Sequence, residues 1–170
     1  MSKHVFLQRH TEATDANGIK DFDRPLSTFG KKQAQHIASL LNHNSIKTQK
    51  ILCSPSIRTK QTLEIISTAL NCTVDIEFKD SLYSASTEDL NNIIKAQDDF
   101  INSMMIIGHN PTITSINMEF SLDHSSKLFR KSCDYTIPGK LTIVKIKTLS
   151  WQHVFNEQAY ILQVVFPLME

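Results

Sequence analysis

Four short runs of apolar, β-prone residues punctuate the chain up to residue 107, and a stretch of helical periodicity follows each of them. The runs are His4-Val5-Phe6-Leu7, Lys50-Ile51-Leu52-Cys53, the alternating segment from Thr73 to Phe78, and Met104-Met105-Ile106-Ile107. Behind the first, Ser27 has the chemistry of an N-cap, and Ala34, Ile37, Ala38 and Leu41 recur at helical spacing until Asn42-His43-Asn44. Behind the second, Thr62, Ile66, Ala69 and Leu70 share a face. Ser86, with Asp89 three residues on, opens a helix that turns Leu90, Ile93 and Ile94 inward. Pro111 suits the first turn of a helix carrying Ile113, Ile116 and Phe120. Strands alternating with helices bury their apolar runs in a mostly parallel sheet covered by helices. Leu141–Ile146 and Tyr160–Phe166 read as late strands, and their close succession suggests one antiparallel member. The expected fold is an α/β three-layer sandwich with helices on both faces of the central sheet. Ser125-Ser126 and Pro138-Gly139 read as turns.

At 170 residues the chain has the size of a single domain, taken as 1–170. Such a length buries about two-thirds of its unfolded surface, so no staple is needed. The cysteines, Cys53, Cys72 and Cys133, are odd in number and widely spaced, which argues against a disulfide framework or a zinc site. Reduced, mostly buried thiols in a cytoplasmic protein are expected. The 18 basic and 17 acidic side chains nearly balance, which speaks against nucleic acid or a membrane surface as the main partner. Neither a signal peptide nor a run of apolar residues long enough to span a bilayer is visible.

The residues at the strand ends are more informative. The first strand ends in Arg9-His10, the second leads through Ser54-Pro55 to Arg58, and the fourth ends in Gly108-His109-Asn110-Pro111. In open α/β sheets the ligand crevice lies outside the carboxyl ends of the strands. Adjacent parallel strands would therefore bring two histidines and two arginines into one crevice. Guanidinium forks match phosphate oxygens in a bidentate way. Asn110 ahead of Pro111 would add the N-terminus of a helix. Taken singly, each piece also suits an ordinary polar strand end or turn; their joint order points to an anion site.

These segments resemble the histidine phosphatase superfamily, and within it the short SixA-type phosphohistidine phosphatases. The resemblance rests on Leu7-Gln8-Arg9-His10-Thr11-Glu12-Ala13, on Asp23-Arg24-Pro25-Leu26-Ser27 with Gly30, Gln33 and Ala34, on Ser54-Pro55-Ser56-Ile57-Arg58 with Gln61-Thr62, and on Ile106-Ile107-Gly108-His109-Asn110-Pro111. It implies a phosphatase that needs no metal or other cofactor, with His10 as the nucleophile and Arg9, Arg58 and His109 around the transferring group. Positioning and charge neutralisation are what phosphoryl transfer mainly requires. Arg9 and Arg58 should depress the pKa of His10 and keep it neutral. Its other ring nitrogen needs a carbonyl acceptor, expected near Ser27–Gly30. Gly30, at the third position of its helix, would permit close backbone approach. Arg24, Asn110, Tyr83 and Ser84 are the candidates for further substrate contacts.

The chain departs from the wider family in two places. Thr11 stands where a glycine commonly follows the nucleophile, and Ser84 stands where many members carry an acidic residue. Asp80, Glu88 and Asp89 lie close in sequence to that position without matching it. A positioned acid typically contributes about 10²–10⁴-fold. An alkyl phosphate needs it for its leaving oxygen, whereas phosphohistidine can depart as neutral imidazole. The expected substrate is therefore phosphohistidine on a signalling or phosphocarrier protein, met by a monomer. A small phosphorylated metabolite is the alternative, favoured if a carboxylate stands near His10. A metallophosphatase using His10 and His109, and a non-catalytic phosphate-sensing adaptor, are the readings from other classes.

Overall fold

Strand β1 (Lys3–Arg9) continues through the polar pair Gln8-Arg9, two residues beyond the apolar run that predicts it. In this computed structural model, which describes residues 2–70, 74–120 and 136–169, β1 is an inner strand of a six-stranded sheet. The other strands are β2 (Lys50–Cys53), β3 (Asp75–Phe78), β4 (Ser103–Gly108), β5 (Leu141–Ile146) and β6 (Ala159–Val165). Their spatial order is β3-β2-β4-β1-β5-β6. β1, β2, β3 and β4 are mutually parallel, and β5 pairs antiparallel with both β1 and β6. β5 thus runs against the other five, the single antiparallel member that the close late strands suggest.

Alternation along the strands sends side chains to two faces. Val5, Leu7, Leu52, Met104, Ile106, Val144 and Ile146 point to one, where α3 (Thr87–Lys95) and α4 (Thr112–Glu119) cover them with Leu90, Ile94, Ile113 and Ile116. Phe6, Ile51, Cys53, Met105, Ile107, Leu141 and Ile143 point to the other, where α1 (Thr28–His43) and α2 (Ile57–Ser67) bring Ile37, Leu41, Leu63 and Ile66. The three layers result from this arrangement. The chain enters α1 through Ser27, whose hydroxyl accepts from the Gly30 N–H. It enters α3 through a Ser86–Asp89 capping box worth roughly 1 kcal/mol.

Register decides where the site forms. Arg9 lies level with Gly108, and Cys53 with Ile107. The residues after β1, β2 and β4 therefore leave the sheet at one edge. Strand β3 begins at Asp75, with residue 73 outside the described residues, and its exposed face suits an edge position. Pro138-Gly139 forms the expected turn, with Gly139 at φ +84°. A side chain there would meet Pro167 and Thr11 as well as strain the backbone. Ser125-Ser126 and the cysteines Cys72 and Cys133 lie outside the described residues; Cys53 is buried and free, and burial pushes its thiol up to about 12. Among the described residues no helix is long and apolar enough to cross a membrane.

Candidate active site

At that edge a cavity of about 360 Å³ is lined by Arg9, His10, Glu12, Ala13, Asp21, Arg24, Arg58, His109, Asn110 and Pro138. Larger hollows lie elsewhere, of about 520 and 590 Å³, but neither gathers arginines and histidines. The cavity thus unites the ends of β1 and β4, the start of α2 and the loop before α1.

His10 is 8% exposed at the bottom of this crevice. Its backbone is pinned between two neighbouring segments: its N–H donates to the Gly108 carbonyl at 3.1 Å, and its carbonyl accepts from the Gly139 N–H at 2.9 Å. Nδ1 lies 2.7 Å from the Thr11 carbonyl oxygen. A carbonyl only accepts, so Nδ1 carries the hydrogen. Nε2 is left with its lone pair, and the Arg58 Nε–H points at it from 3.3 Å. The carbonyl comes from Thr11 rather than from the expected Ser27–Gly30 segment. That segment acts one step back: Ser27 N–H donates to the Glu12 carbonyl at 3.0 Å. A β-carbon on Gly30 would stand 1.9 Å from the same oxygen. The start of α1 is thus packed directly on the backbone that orients the ring.

Thr11, where a glycine is usual in the wider family, is fully buried. Its N–H donates to the Thr62 hydroxyl at 3.2 Å, and that hydroxyl donates to the Arg58 carbonyl at 2.8 Å. That main-chain bond, which a glycine would also make, ties the loop after β1 to the helix that carries Arg58, and the threonine side chain adds a hydroxyl 3.3 Å from the Thr62 hydroxyl. Gln33 and Gln61 accept the N–H groups of Glu12 and Leu26 at 3.0 and 2.7 Å. These motif residues hold backbone in place instead of facing the crevice.

Arg58 is 6% exposed and uses its whole fork. Nε addresses His10, Nη2 lies 3.3 Å from His109 Nδ1 and 2.8 Å from Asp21 Oδ2, and Nη1 donates to the Asp21 carbonyl oxygen. His109 is held from its other side, with Nε2 2.8 Å from the buried Ser54 hydroxyl. An arginine cannot accept, so the neutral His109 ring keeps Nδ1 bare toward the crevice and donates Nε2–H to Ser54. The two imidazoles lie 5.1 Å apart, centroid to centroid. Arg9 lines the same crevice and donates from Nη1 to the Thr136 carbonyl at 2.6 Å. Asn110 donates to that oxygen at 2.9 Å, which couples the start of α4 to the Arg9 side chain.

Both histidines are held neutral. Burial, then His109 once it is protonated in acid, then Arg58 and Arg9, lower His10 to about 3 against an opposing Thr11 hydrogen bond. Burial, then Arg58 and Arg9, lowers His109 to about 4 against the opposing Asp21 charge. The arginines act in the expected direction, but loss of hydration is the larger cause in each case.

Asp21, from the polar stretch of residues 14–24, is a further residue of the crevice. It belongs to a short 3-10 turn, Asp21–Asp23. Oδ2 accepts from the Tyr83 hydroxyl at 2.7 Å and from Arg58, and Oδ1 accepts from Arg24 Nη1 at 2.8 Å. The Tyr83 hydroxyl first, then Arg24 and Arg58, hold its carboxyl well below the usual carboxylate range. The signal available in the sequence was the spacing Asp21-x-x-Arg24, which lets the pair close on itself in one turn. Arg24 also donates from Nε to the Thr14 carbonyl at 2.7 Å. Tyr83 stands with its ring 5.4 Å from His109 and 5.0 Å from Phe22. Ser84 is exposed and is not among the lining residues. Asp80, Glu88 and Asp89 do not line the cavity either; Asp89 is spent on its capping box. Among the described residues no group of three or more His, Cys, Asp or Glu is arranged to hold a metal.

Known proteins similar to this chain point to one family. A sequence profile described as histidine phosphatase superfamily (branch 1) matches residues 5–98. That span, more than half of the chain, stops short of His109, which the fold itself brings to the crevice. The phosphohistidine phosphatase SixA of Escherichia coli is 25% identical over 130 residues, covering 75% of this chain and 80% of that one. A structure from Agrobacterium tumefaciens, provisionally assigned as a phosphohistidine phosphatase SixA, matches with a TM-score of 0.81 at 26% identity over 97% of this chain and 98% of its own. Another from Nakamurella multipartitia, with the same provisional assignment, reaches 0.86 over 99% of this chain and 98% of its own; at 22% identity it speaks for the fold alone.

Proposed function

The chain belongs to the histidine phosphatase superfamily, and on that premise we propose a metal-independent phosphatase whose His10 accepts the phosphoryl group of phosphohistidine on a signalling or phosphocarrier protein. One observation carries the reading: His10 is a neutral imidazole whose Nδ1–H is fixed on the Thr11 carbonyl, with its Nε2 lone pair turned to the Arg58 fork. A ring locked in that tautomer is ready to attack without first losing a proton.

In the transfer step the Nε2 lone pair of His10 forms a bond to phosphorus. The substrate's N–P bond breaks, and its pair returns to the substrate ring, which leaves as neutral imidazole when its second nitrogen is protonated. Arg58, Arg9 and the Nδ1 edge of His109 neutralise charge on the equatorial oxygens. His109 would take up a proton as the phosphoryl group arrives, because a dianion raises the pKa of a nearby imidazole. Phosphorylated His10 keeps its Nδ1–H on Thr11, so the ring is cationic and is itself a neutral leaving group once water attacks phosphorus. Hydrolysis then returns the lone pair to Nε2 and releases phosphate.

A small-molecule phosphomonoesterase is the second reading, because two carboxylates, Asp21 and Glu12, line the crevice. Asp21 answers in position but not in protonation. Three donors keep it ionised, so it has no proton to give a departing alkoxide near neutral pH. Glu12 accepts from the Ser27 hydroxyl at 2.5 Å, on the side of the helix cap.

The test is a turnover comparison of a phosphohistidine-bearing protein with simple phosphomonoesters, after exhaustive chelation. Faster release from phosphohistidine is expected, with alkali-stable label trapped on the wild type and lost in His10→Ala. Faster cleavage of sugar phosphates or phosphoserine would overturn the substrate. Activity lost to the chelator and restored by metal would overturn metal independence. Tight phosphopeptide binding with no turnover and no phosphoenzyme would make the protein an adaptor.

A further inference from the structure

We propose that Asp21 is a specificity-determining residue of the crevice: a fixed carboxylate on the leaving-group side that favours a phosphoimidazole bearing a ring N–H and disfavours phosphates flanked by further negative charge. The inference deepens the phosphohistidine phosphatase reading and rests on it.

The Arg58 guanidinium meets His10 through Nε and Asp21 through Nη1 and Nη2. A phosphoryl group laid along that guanidinium has the nucleophile at one end and the Asp21 carboxylate at the other. The carboxylate also has capacity to spare, since such a group offers about four acceptor sites. Arg58 and Tyr83 occupy Oδ2 and Arg24 occupies Oδ1, which leaves Oδ1 room for one more donor. The side chain is 53% exposed and lines the cavity, so that room is open to the crevice and to solvent.

The chemistry of the leaving group fits this placement. Phosphoimidazole departs as a neutral ring only when its second nitrogen holds a proton. An ionised carboxylate beside that N–H stabilises the protonated substrate and need transfer nothing. The arrangement mirrors the nucleophile, whose own second N–H rests on the Thr11 carbonyl. Each imidazole in the exchange would then have an acceptor behind it. A phosphate with a neighbouring carboxylate or second phosphate meets repulsion at the same place, and its leaving oxygen finds no proton there.

Asp21 also steadies Arg58, so a purely positioning role must be told apart. The measurement is kcat/KM of the full chain and its Asp21→Asn, Asp21→Ala and Asp21→Glu variants on three substrates. These are a phosphohistidine-bearing protein, p-nitrophenyl phosphate, which needs no acid, and 3-phosphoglycerate, which carries a flanking carboxylate. Hydrogen bonds to charged groups are worth enough for about a tenfold effect. Asp21→Asn should lower phosphohistidine turnover at least about tenfold more than p-nitrophenyl phosphate turnover. It should raise 3-phosphoglycerate relative to p-nitrophenyl phosphate, and Asp21→Glu should restore part of the wild-type order. An equal fall on all three substrates would reduce Asp21 to a support for Arg58 and sink the proposal; no change on any would do the same. A wild type that cleaves p-nitrophenyl phosphate but not phosphohistidine would end the phosphohistidine reading itself. The role of Asp21 is then decided by the 3-phosphoglycerate ratio alone, and an unchanged ratio ends it too.

Discussion

The floor and the rim of the crevice are built in different ways. The floor consists of His10, Arg58 and His109, set by strand ends and a helix start and largely buried; buried groups orient the two histidines, and Arg58 is held by His10 and by Asp21 of the rim. The rim consists of Asp21 and Arg24, backed by Phe22 and Tyr83, which do not themselves line the cavity; it is drawn from two short 3-10 turns and the residue after the first, is more exposed, and is tied mainly to itself. Floor contacts fix a nucleophile and a charge sink that any phosphoryl group requires. Rim contacts fix what lies beyond the phosphoryl group. On this division, damage to the floor lowers turnover of every substrate together, and damage to the rim redistributes turnover among them.

The largest effect should come from Arg58. Its fork serves His10, His109 and Asp21 at once, and a lysine has no planar fork to divide among them. Arg58→Ala should lower kcat by about 10²–10³-fold on every substrate, the scale of losing one preorganised donor, with Arg58→Lys recovering little of it. Initial rates on phosphohistidine and p-nitrophenyl phosphate check this. A loss confined to one substrate would move Arg58 from the floor to the rim.

Gly30 tests the backbone beneath the floor. A β-carbon 1.9 Å from the Glu12 carbonyl cannot be absorbed by turning a side chain, because the obstacle is main chain. Gly30→Ala should cost roughly 3 kcal/mol, the upper range for overpacking. For a chain of this length that is a fall in Tm of roughly 10 °C. Surviving folded protein should still show reduced turnover, since the displaced segment orients the His10 ring. Calorimetry and rates on the same sample separate the two, and full stability in the variant would remove the packing argument.

Floor and rim also differ in how far the sequence reveals them. Arg9-His10, Arg58 and Gly108-His109-Asn110 come at or soon after the ends of apolar runs, and a parallel sheet brings such ends to one edge, so patterning points to the floor and the family resemblance supplies the roles. The order β3-β2-β4-β1-β5-β6 is not legible in this way, because pairing order depends on crossovers that span tens of residues. Nor is the acceptor for His10, since it depends on how Gly30 and Ser27 press on residues 11 and 12. Asp21 was hidden for a related reason. Polar loop residues are ordinary in any sequence, and only folding shows that this one faces an arginine fork. Ser84, matched to a position where many family members carry an acidic residue, illustrates the converse: position along the chain suggests the site, and the turn after Asp80–Tyr83 leaves it exposed.

Acid should find the floor before the rim. His10 and His109 titrate at about 3 and about 4 in the folded protein, against an ordinary histidine value of about 6.5 in the unfolded chain. His4 is lowered as well, by burial and then by Lys145. Between those limits the unfolded chain binds more protons, so this contribution to stability is complete above about pH 6.5 and is lost as pH falls through the folded values. Asp21 adds to the loss only lower down, as pH passes below the ordinary aspartate value of about 4. The unfolding free energy from urea titration should therefore drop between pH 6.5 and 4.5, by about a few kcal/mol. A His10→Gln, His109→Gln double variant should show a clearly flatter limb, with the slope due to His4 remaining. An unchanged limb would mean that the two crevice imidazoles are not the groups resisting protonation.

Ser54 gives the smallest and finest test, because it touches the floor from behind. Its hydroxyl is the acceptor that keeps the Nε2–H of His109 turned away from the crevice and Nδ1 turned toward it. Without that acceptor the ring can flip or exchange tautomers, and the edge presented to the phosphoryl oxygens is no longer fixed. Ser54→Ala should lower kcat about tenfold, the worth of one ordinary hydrogen bond in the transition state, and leave KM nearly unchanged because Arg9 and Arg58 still bind the anion. Ser54→Thr, which keeps a hydroxyl, should recover most of the loss if the extra methyl is accommodated. The factor should be the same for phosphohistidine and for p-nitrophenyl phosphate, since His109 faces the group they share. A loss that differed between them would show that His109 reads the leaving group, and the line between floor and rim would then have to run through His109 itself.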